Sequence, residues 1–463
     1  MESDQAPRPD DALHPVRRLR RERSGRTGFP SGGWSPPGAA PSAAVSSGVE
    51  TPVKRRSRLP LAIGLALVLA VSGAWSALAL HGQPPAAPTP VTRASAPIPA
   101  QTPADAIGNL RMFSRTTGWA QRIDDAAVLH TTQGVLRWSV ASPLTPETVI
   151  AVSYVDAETA QALTVPVNAN GQTMIQSWST SDGGATWSPA GSFAVLGFSP
   201  GLVGALDFVD PLHGWFSQLQ DDPGVTGTAL YDTVDGGARW SQIAVVGTTG
   251  PADARQTGPP PVGCVQLTAA FISATTGWLT GTCSSGPPPL YVSHDGGLSW
   301  TYQPLAPIPG SPWGEKSSPP TFTSAEDGTL LTEDPGESPV SVGLFATTDG
   351  GQTWSLRYSG SGPAFSCDFV DSHHGWLSMF SSHGTTAAAP DLYVTGDGGS
   401  TWSMLSAFPY VGVDLDFLTV GTGWASTAPN QFGEGASYLV ETDDGGRSWK
   451  ALSPRLSPPS PPS

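Results

Sequence analysis

Residues 395–402 read Thr-Gly-Asp-Gly-Gly-Ser-Thr-Trp, and the pattern S/T-x-D-G-G-x-x-W recurs along the chain. It stands as TSDGGATW at 180–187, TVDGGARW at 233–240, SHDGGLSW at 293–300, TTDGGQTW at 347–354 and TDDGGRSW at 442–449. A degraded copy, TTQGVLRW, occupies 131–138, with Gln133 where the others carry Asp. The marked position thus falls at 133, 182, 235, 295, 349, 397 and 444, at intervals of 47 to 60 residues. A pattern this restrictive does not recur by chance. Such a period means a repeat architecture, in which one small unit is written several times and neighbours bury each other.

A second register runs ahead of the first. Gly118-Trp119, Gly214-Trp215, Gly277-Trp278, Gly375-Trp376 and Gly423-Trp424 each follow a short apolar run, and Ala160 and Gly328 mark the same point in the other two units. Six residues earlier stands a large side chain every time: Met112, Tyr154, Phe208, Phe271, Phe322, Phe369 and Phe417. Within a unit, short stretches rich in β-branched and aromatic residues are bounded by turn formers, which predicts strands. In the third unit they cover 205–209, 214–218, 229–233 and 239–245. Asp-Gly-Gly falls in the last hairpin, where glycine supplies positive φ and the carboxylate accepts turn N–H groups. The closing Trp is expected to begin the fourth strand and bury its ring between sheets. Four-stranded antiparallel units repeated seven times predict an all-β chain, a seven-bladed β-propeller over residues 105–452.

These motifs resemble the Asp-box (BNR) repeat propellers, and the Gly-Trp ahead of each box is most similar to the photosystem II stability/assembly factor-like branch. The resemblance covers residues 105–452. It implies a structural role for Asp182, Asp235, Asp295, Asp349, Asp397 and Asp444, since the box in that family is a turn. It specifies fold rather than activity, because sialidases, sortilin-type receptors and xyloglucan-degrading enzymes share it. A Ca²⁺-loop reading fails on the residues themselves, which lack alternating oxygen ligands.

Composition agrees. With 54 Gly and 47 Pro in 463 residues, a coiled coil or long-helix protein is excluded. The 16 Trp argue against disorder throughout. Charge divides the chain: residues 1–58 carry 11 Lys/Arg against 6 Asp/Glu, whereas 81–463 carry 12 against 32. Between them, residues 59–80 contain no charge, and 22 residues of helix span about 33 Å, enough for a hydrocarbon core of about 30 Å. Lys54, Arg55, Arg56 and Arg58 precede this run, so the positive-inside rule keeps 1–58, a basic disordered tail, in the cytoplasm. A cleaved signal peptide is the competing reading, because Ala77-Leu78-Ala79 has the form of a cleavage site. The long preceding segment favours a retained single-pass anchor in the plasma membrane, with the propeller extracellular or periplasmic. A Pro/Ala-rich linker, 81–104, would hold the propeller off the membrane, and a Pro/Ser tail, 453–463, is expected to be unstructured.

Long, variable connections (218–228, 246–263, 304–320, 381–391 and 429–436) fall on the face opposite the boxes, where binding loops usually reside. Trp313 and Tyr410 lie on that face's connections and are candidate binding contacts, with burial against the domain as the competing reading. One residue before the repeated large side chain come Arg111, Asp207, Asp368 and Asp416. Ring closure would bring Arg111, Asp368 and Asp416 together as a charged binding sector near the channel, or as satisfied inter-blade acceptors. Cys264 and Cys283 flank one hairpin, so a disulfide is open to them, and an odd count leaves a free thiol. No catalytic residues are assigned: the arginine cluster and nucleophile pair of a sialidase are missing, and no nucleophile elbow or phosphate loop occurs. Neither a cofactor nor a metal site is expected, His373-His374 alone being weak evidence for one. The acidic domain disfavours nucleic acid. The expected role is non-enzymatic binding or scaffolding of an extracytoplasmic protein or glycan at the cell surface, with a sialidase-like glycoside hydrolase, its site on the face opposite the Asp boxes, as the alternative.

Overall fold

The computed structural model describes residues 106–457 except 124, 144, 146, 167–170, 199–203, 223–224, 248–263, 284–288, 310–315, 335–339, 380–390, 408–410 and 429–437. The expected tail, membrane span and linker, residues 1–104, lie outside the described residues, as do Trp313 and Tyr410. No helix among the described residues is long and apolar enough to cross a membrane.

The described residues are all-β, built of four-stranded antiparallel sheets as in a β-propeller. The seventh repeat is representative: Val411–Phe417, Gly423–Ala428, Tyr438–Thr442 and Lys450–Leu452 pair in chain order as one four-stranded sheet. Three other repeats form separate four-stranded sheets. Two more share a nine-stranded sheet, bridged by Lys316–Ser317, which pairs with both Gly277–Cys283 and Gly328–Asp334. The first repeat gains a fifth strand, Arg455–Ser457, lying parallel on Arg137–Val140. The segment from Ser453 is therefore not wholly unstructured. Its Leu456 packs against the core that holds Met112, Trp138 and Trp424, and that apolar contact fixes the strand in place.

Two further expectations change. Residues 218–228 are not a loop: Gly214–Asp222 and Val225–Thr233 continue as one long hairpin through that stretch. The closing Trp stands just before its strand in most repeats, as Trp240 does before Ser241–Gly247.

The repeated large side chains and the Gly-Trp pairs meet in one contact. In every repeat but the second, where Tyr154 pairs with Ala160, the large residue is paired with the glycine of the next strand, as Phe208 with Gly214 and Phe417 with Gly423. Its side chain lies over that glycine; a Cβ at Gly214 would sit 2.5 Å from the Phe208 ring. Where the preceding repeat carries the Gly-Trp pair, the large side chain also meets that Trp. Trp376 stacks on Phe417 with centroids 3.6 Å apart, Trp215 on Phe271 at 3.5 Å, Trp278 on Phe322 at 5.0 Å and Trp119 on Tyr154 at 5.6 Å. Trp424 shares a core with Met112, which carries the series from the last repeat to the first. Burying one such ring stabilises by about 1.5–3 kcal/mol, with a further ~0.5–1.5 for the stack. The indole N–H groups add a tether: Trp215 donates to Gly296 O and Trp376 to Gly445 O, each at 2.9 Å.

The Asp-Gly-Gly hairpins are self-contained. In the sixth repeat Thr395 Oγ1 donates to Asp397 Oδ1 at 2.9 Å and accepts from Gly399 N at 3.0 Å. Asp397 also accepts from Thr401 N at 2.8 Å and Thr401 Oγ1 at 2.6 Å. Gly398 and Gly399 hold φ of +70° and +84°, which a Cβ would strain. These bonds favour the ionised carboxylate and pull Asp349 and Asp397 down to about 2. Each hairpin is fastened to the first turn of its own repeat, as by Gly398 N to His373 O and Gly445 N to Gly421 O, both 2.9 Å. Even the degraded copy keeps the bond, Gly134 N to Thr116 O at 2.8 Å. Both kinds of turn therefore lie on one face.

Candidate functional site

The first strands of the repeats end at that face, and all but the second contribute to the wall of a cavity of about 880 Å³. Its walls include Arg111, Asp207, Asp368 and Asp416, so the structure brings the predicted charged sector together and adds Asp207 to it. None of the six hairpin aspartates lines it. The cavity opens on the turn face, on the same side as the Asp-Gly-Gly hairpins, with Ser324 and Ala325 of one first turn in its wall.

Each cavity carboxylate joins two repeats. Asp416 Oδ2 accepts from Met112 N at 2.7 Å, Asp368 Oδ2 from Phe417 N at 2.5 Å and Asp207 Oδ2 from Phe271 N at 2.7 Å. Ser153 Oγ does the same for Phe208 N at 3.0 Å. The residue before each of these large side chains thus reaches the backbone of the next repeat's large residue, and a single acceptor suffices for the joint. Burial pushes the carboxyls up, to about 6 for Asp207 and Asp416 and about 7 for Asp368. For Asp368 the hydrogen bond from Phe417 opposes the rise and the Asp416 charge adds to it. Arg111 opposes the rise at both Asp416 and Asp368. Its Nη1 lies 3.7 Å from Asp416 Oδ1, with 60% of the Arg111 side chain exposed and 6% of the Asp416 side chain. The guanidinium also stands 5.9 Å from the centre of the Phe113 ring.

Above the carboxylates runs an apolar collar. Phe113, Val209, Ile272, Val370 and Leu418, each one residue after the repeated large side chain, line the mouth and are partly exposed. Their backbone N–H groups close the first turns, as Leu418 N does on Thr422 O at 3.0 Å. One residue further, a Ser, Asp or Thr caps each turn: Asp371 Oδ1 accepts from His373 N and His374 N, both at 2.7 Å. His374 Nδ1 lies 2.9 Å from Asp371 Oδ2, and His213 repeats the arrangement with Asp210. The histidine pair is thereby engaged in its turn, and no group able to hold a metal occurs among the described residues. Collar and caps escaped the sequence reading. Aligning the repeats on the large residue, and reading one and two positions beyond it, shows both.

Elsewhere, Cys264 is disulfide-bonded and its backbone pairs with Cys283, whereas Cys367 is a free thiol whose pKa burial raises. Tyr231 and Tyr291 are buried in packing contacts.

No protein-family profile matches the chain, and no curated protein matches it either. Solved structures do. YCF48 bound to D1 peptide is 20% identical, with 67% of this chain and 83% of that chain covered and a TM-score of 0.40. The GH74 enzyme of Niastella koreensis is 11% identical, with coverages of 76% and 66% and a TM-score of 0.45. The β-propeller domain of the Trilobed protease from Pyrococcus furiosus is 9% identical, with coverages of 67% and 86% and a TM-score of 0.42. At such identities the likeness concerns the fold alone. The four-stranded antiparallel sheets are themselves consistent with a β-propeller, and the similar solved structures include both enzymes and a peptide-bound protein.

Proposed function

We propose that seven blades of the Asp-box class close into one ring and act as a non-enzymatic binding or scaffolding module. Residues 59–80 anchor the ring in the plasma membrane, and 81–104 present it outside, to an extracytoplasmic protein or glycan. The observation that carries the reading is the mouth itself. An 880 Å³ cavity with a partly exposed apolar collar opens beside an exposed arginine. Meanwhile the carboxylates that an acid–base mechanism would need already accept backbone N–H groups from the neighbouring blade. A rigid concave site with few polar groups is the usual form of a binding pocket.

The test uses full-length protein in phosphatidylcholine nanodiscs, presented to a glycoside panel and to peptide and glycan arrays. The expected result is no glycoside turnover, together with saturable retention of array members that Val370→Trp, which narrows the mouth, abolishes. Turnover that collapses in Arg111→Ala and Asp416→Ala would establish a hydrolase instead.

A further inference from the structure

We propose that the mouth takes a cationic side chain, lysine or arginine, carried on an extended peptide. This rests on the reading of the mouth as a binding site and names what enters it. Three features of the cavity point the same way. The collar of Phe113, Val209, Ile272, Val370 and Leu418 offers apolar contact at the rim, and Asp207, Asp368 and Asp416 lie two residues before Val209, Val370 and Leu418. A ligand that satisfies both needs an apolar stem and a charged head, which is the build of a lysine or arginine side chain.

The charge balance selects the sign of that head. Three carboxylates face the cavity with one guanidinium. Arg111 serves Asp416 and Asp368. Asp207, on the third repeat, accepts a hydrogen bond from Phe271 N and, among the described residues, has no cation beside it. Its second oxygen is the natural end point for an entering ammonium or guanidinium. An anion gripped by Arg111 would be repelled by the same carboxylates. A directly coordinated metal ion is unsuited, because no three acidic, histidine or cysteine groups among the described residues come close enough together. At longer range the 32 acids against 12 bases in residues 81–463 attract a cation and repel an anion.

The experiment measures fluorescence anisotropy of labelled peptides, Ala-Ala-X-Ala-Ala with X as Lys, Arg, norleucine or Glu, on full-length protein in phosphatidylcholine nanodiscs. Lys and Arg peptides are expected to bind at least about tenfold more tightly than the norleucine peptide, and the Glu peptide not at all. Asp207→Asn keeps an oxygen for Phe271 N and so keeps the joint; it should weaken the Lys peptide by about tenfold. Arg111→Met, at an exposed side chain, removes the internal competitor and should tighten it. Equal binding of Lys and norleucine peptides, or a preference for Glu that Arg111→Met abolishes, overturns the inference and leaves the binding reading standing. Lys-peptide binding indifferent to both variants overturns it as well. If no peptide or array member is blocked by Val370→Trp, inference and reading fall together.

Discussion

At the scale of single residues the fold depends on a sandwich and a joint. The sandwich, complete in the fourth, fifth and seventh repeats, places one large side chain between its own repeat's glycine and the preceding repeat's tryptophan; the joint is a carboxylate or hydroxyl bonded to the next repeat's backbone. The joint carries a pH dependence with a definite sign. Burial holds Asp207, Asp368 and Asp416 at about 6, 7 and 6, above the ordinary carboxyl value of 3.8. The folded protein therefore holds protons that the unfolded chain releases, so their protonated form favours folding. Stability from them is complete below about pH 4, is lost as pH rises through about 7, and is level above that. The turn aspartates act oppositely: Asp349 and Asp397, held at about 2, support folding above about pH 4 and cease to as pH falls through about 2. Asp368→Asn keeps the acceptor for Phe417 N and removes the titration. Between about pH 4 and pH 8 its melting temperature should fall less than that of the natural protein by calorimetry. Parallel profiles would refute the assignment.

Much of this level was readable beforehand. The repeated large residue, the Gly-Trp pairs and the position of Asp368 and Asp416 all stand out when the repeats are aligned. Periodicity marked the halves of the sandwich without showing that they touch, because a contact between neighbouring repeats has no fixed separation in sequence. Trp119, Trp278, Trp376 and Trp424 are almost wholly buried, yet they had served only as register marks. Whether Asp416 was a ligand group or a backbone acceptor depended on where Met112 N points, which no sequence pattern states.

Among the elements, the hairpins were the most predictable, since a glycine pair at positive φ and an aspartate acceptor are local requirements. The long hairpin Gly214–Asp222 and Val225–Thr233 was not. Gly227, polar residues and two aspartates suggested a loop, but ladder pairing overrode those local preferences. The strand Arg455–Ser457 was hidden for a similar reason: proline surrounds it, and only the exposed edge of Arg137–Val140 makes it a strand. It fastens the C-terminal end to the first repeat, with Arg455 N bonded to Leu136 O at 3.0 Å. Ending the chain at Leu452 should lower the melting temperature by several degrees, at about 2–4 °C per kcal/mol lost in a domain of about this size or somewhat smaller. An unchanged melting curve would show the strand to be dispensable.

On the scale of the whole molecule, the same contacts run from the last repeat back to the first. Met112 N bonds to Asp416, Trp424 shares a core with Met112, and Arg115 Nη1 meets Asp443 Oδ1 at 3.0 Å. Arg115 also bonds to Thr422. A cavity walled by distant parts of the chain exists only if this seam closes, so the binding proposal depends on it. Arg115 and Asp443 are mostly exposed and can be probed chemically. The decisive measurement is zero-length carbodiimide cross-linking of the Arg115→Lys variant, read by mass spectrometry of the digested protein. A closed ring predicts an amide joining the peptides that contain positions 115 and 443, formed at protein concentrations too low for intermolecular coupling. Cross-links confined within single repeats or between adjacent ones in sequence, with that pair absent, would contradict it.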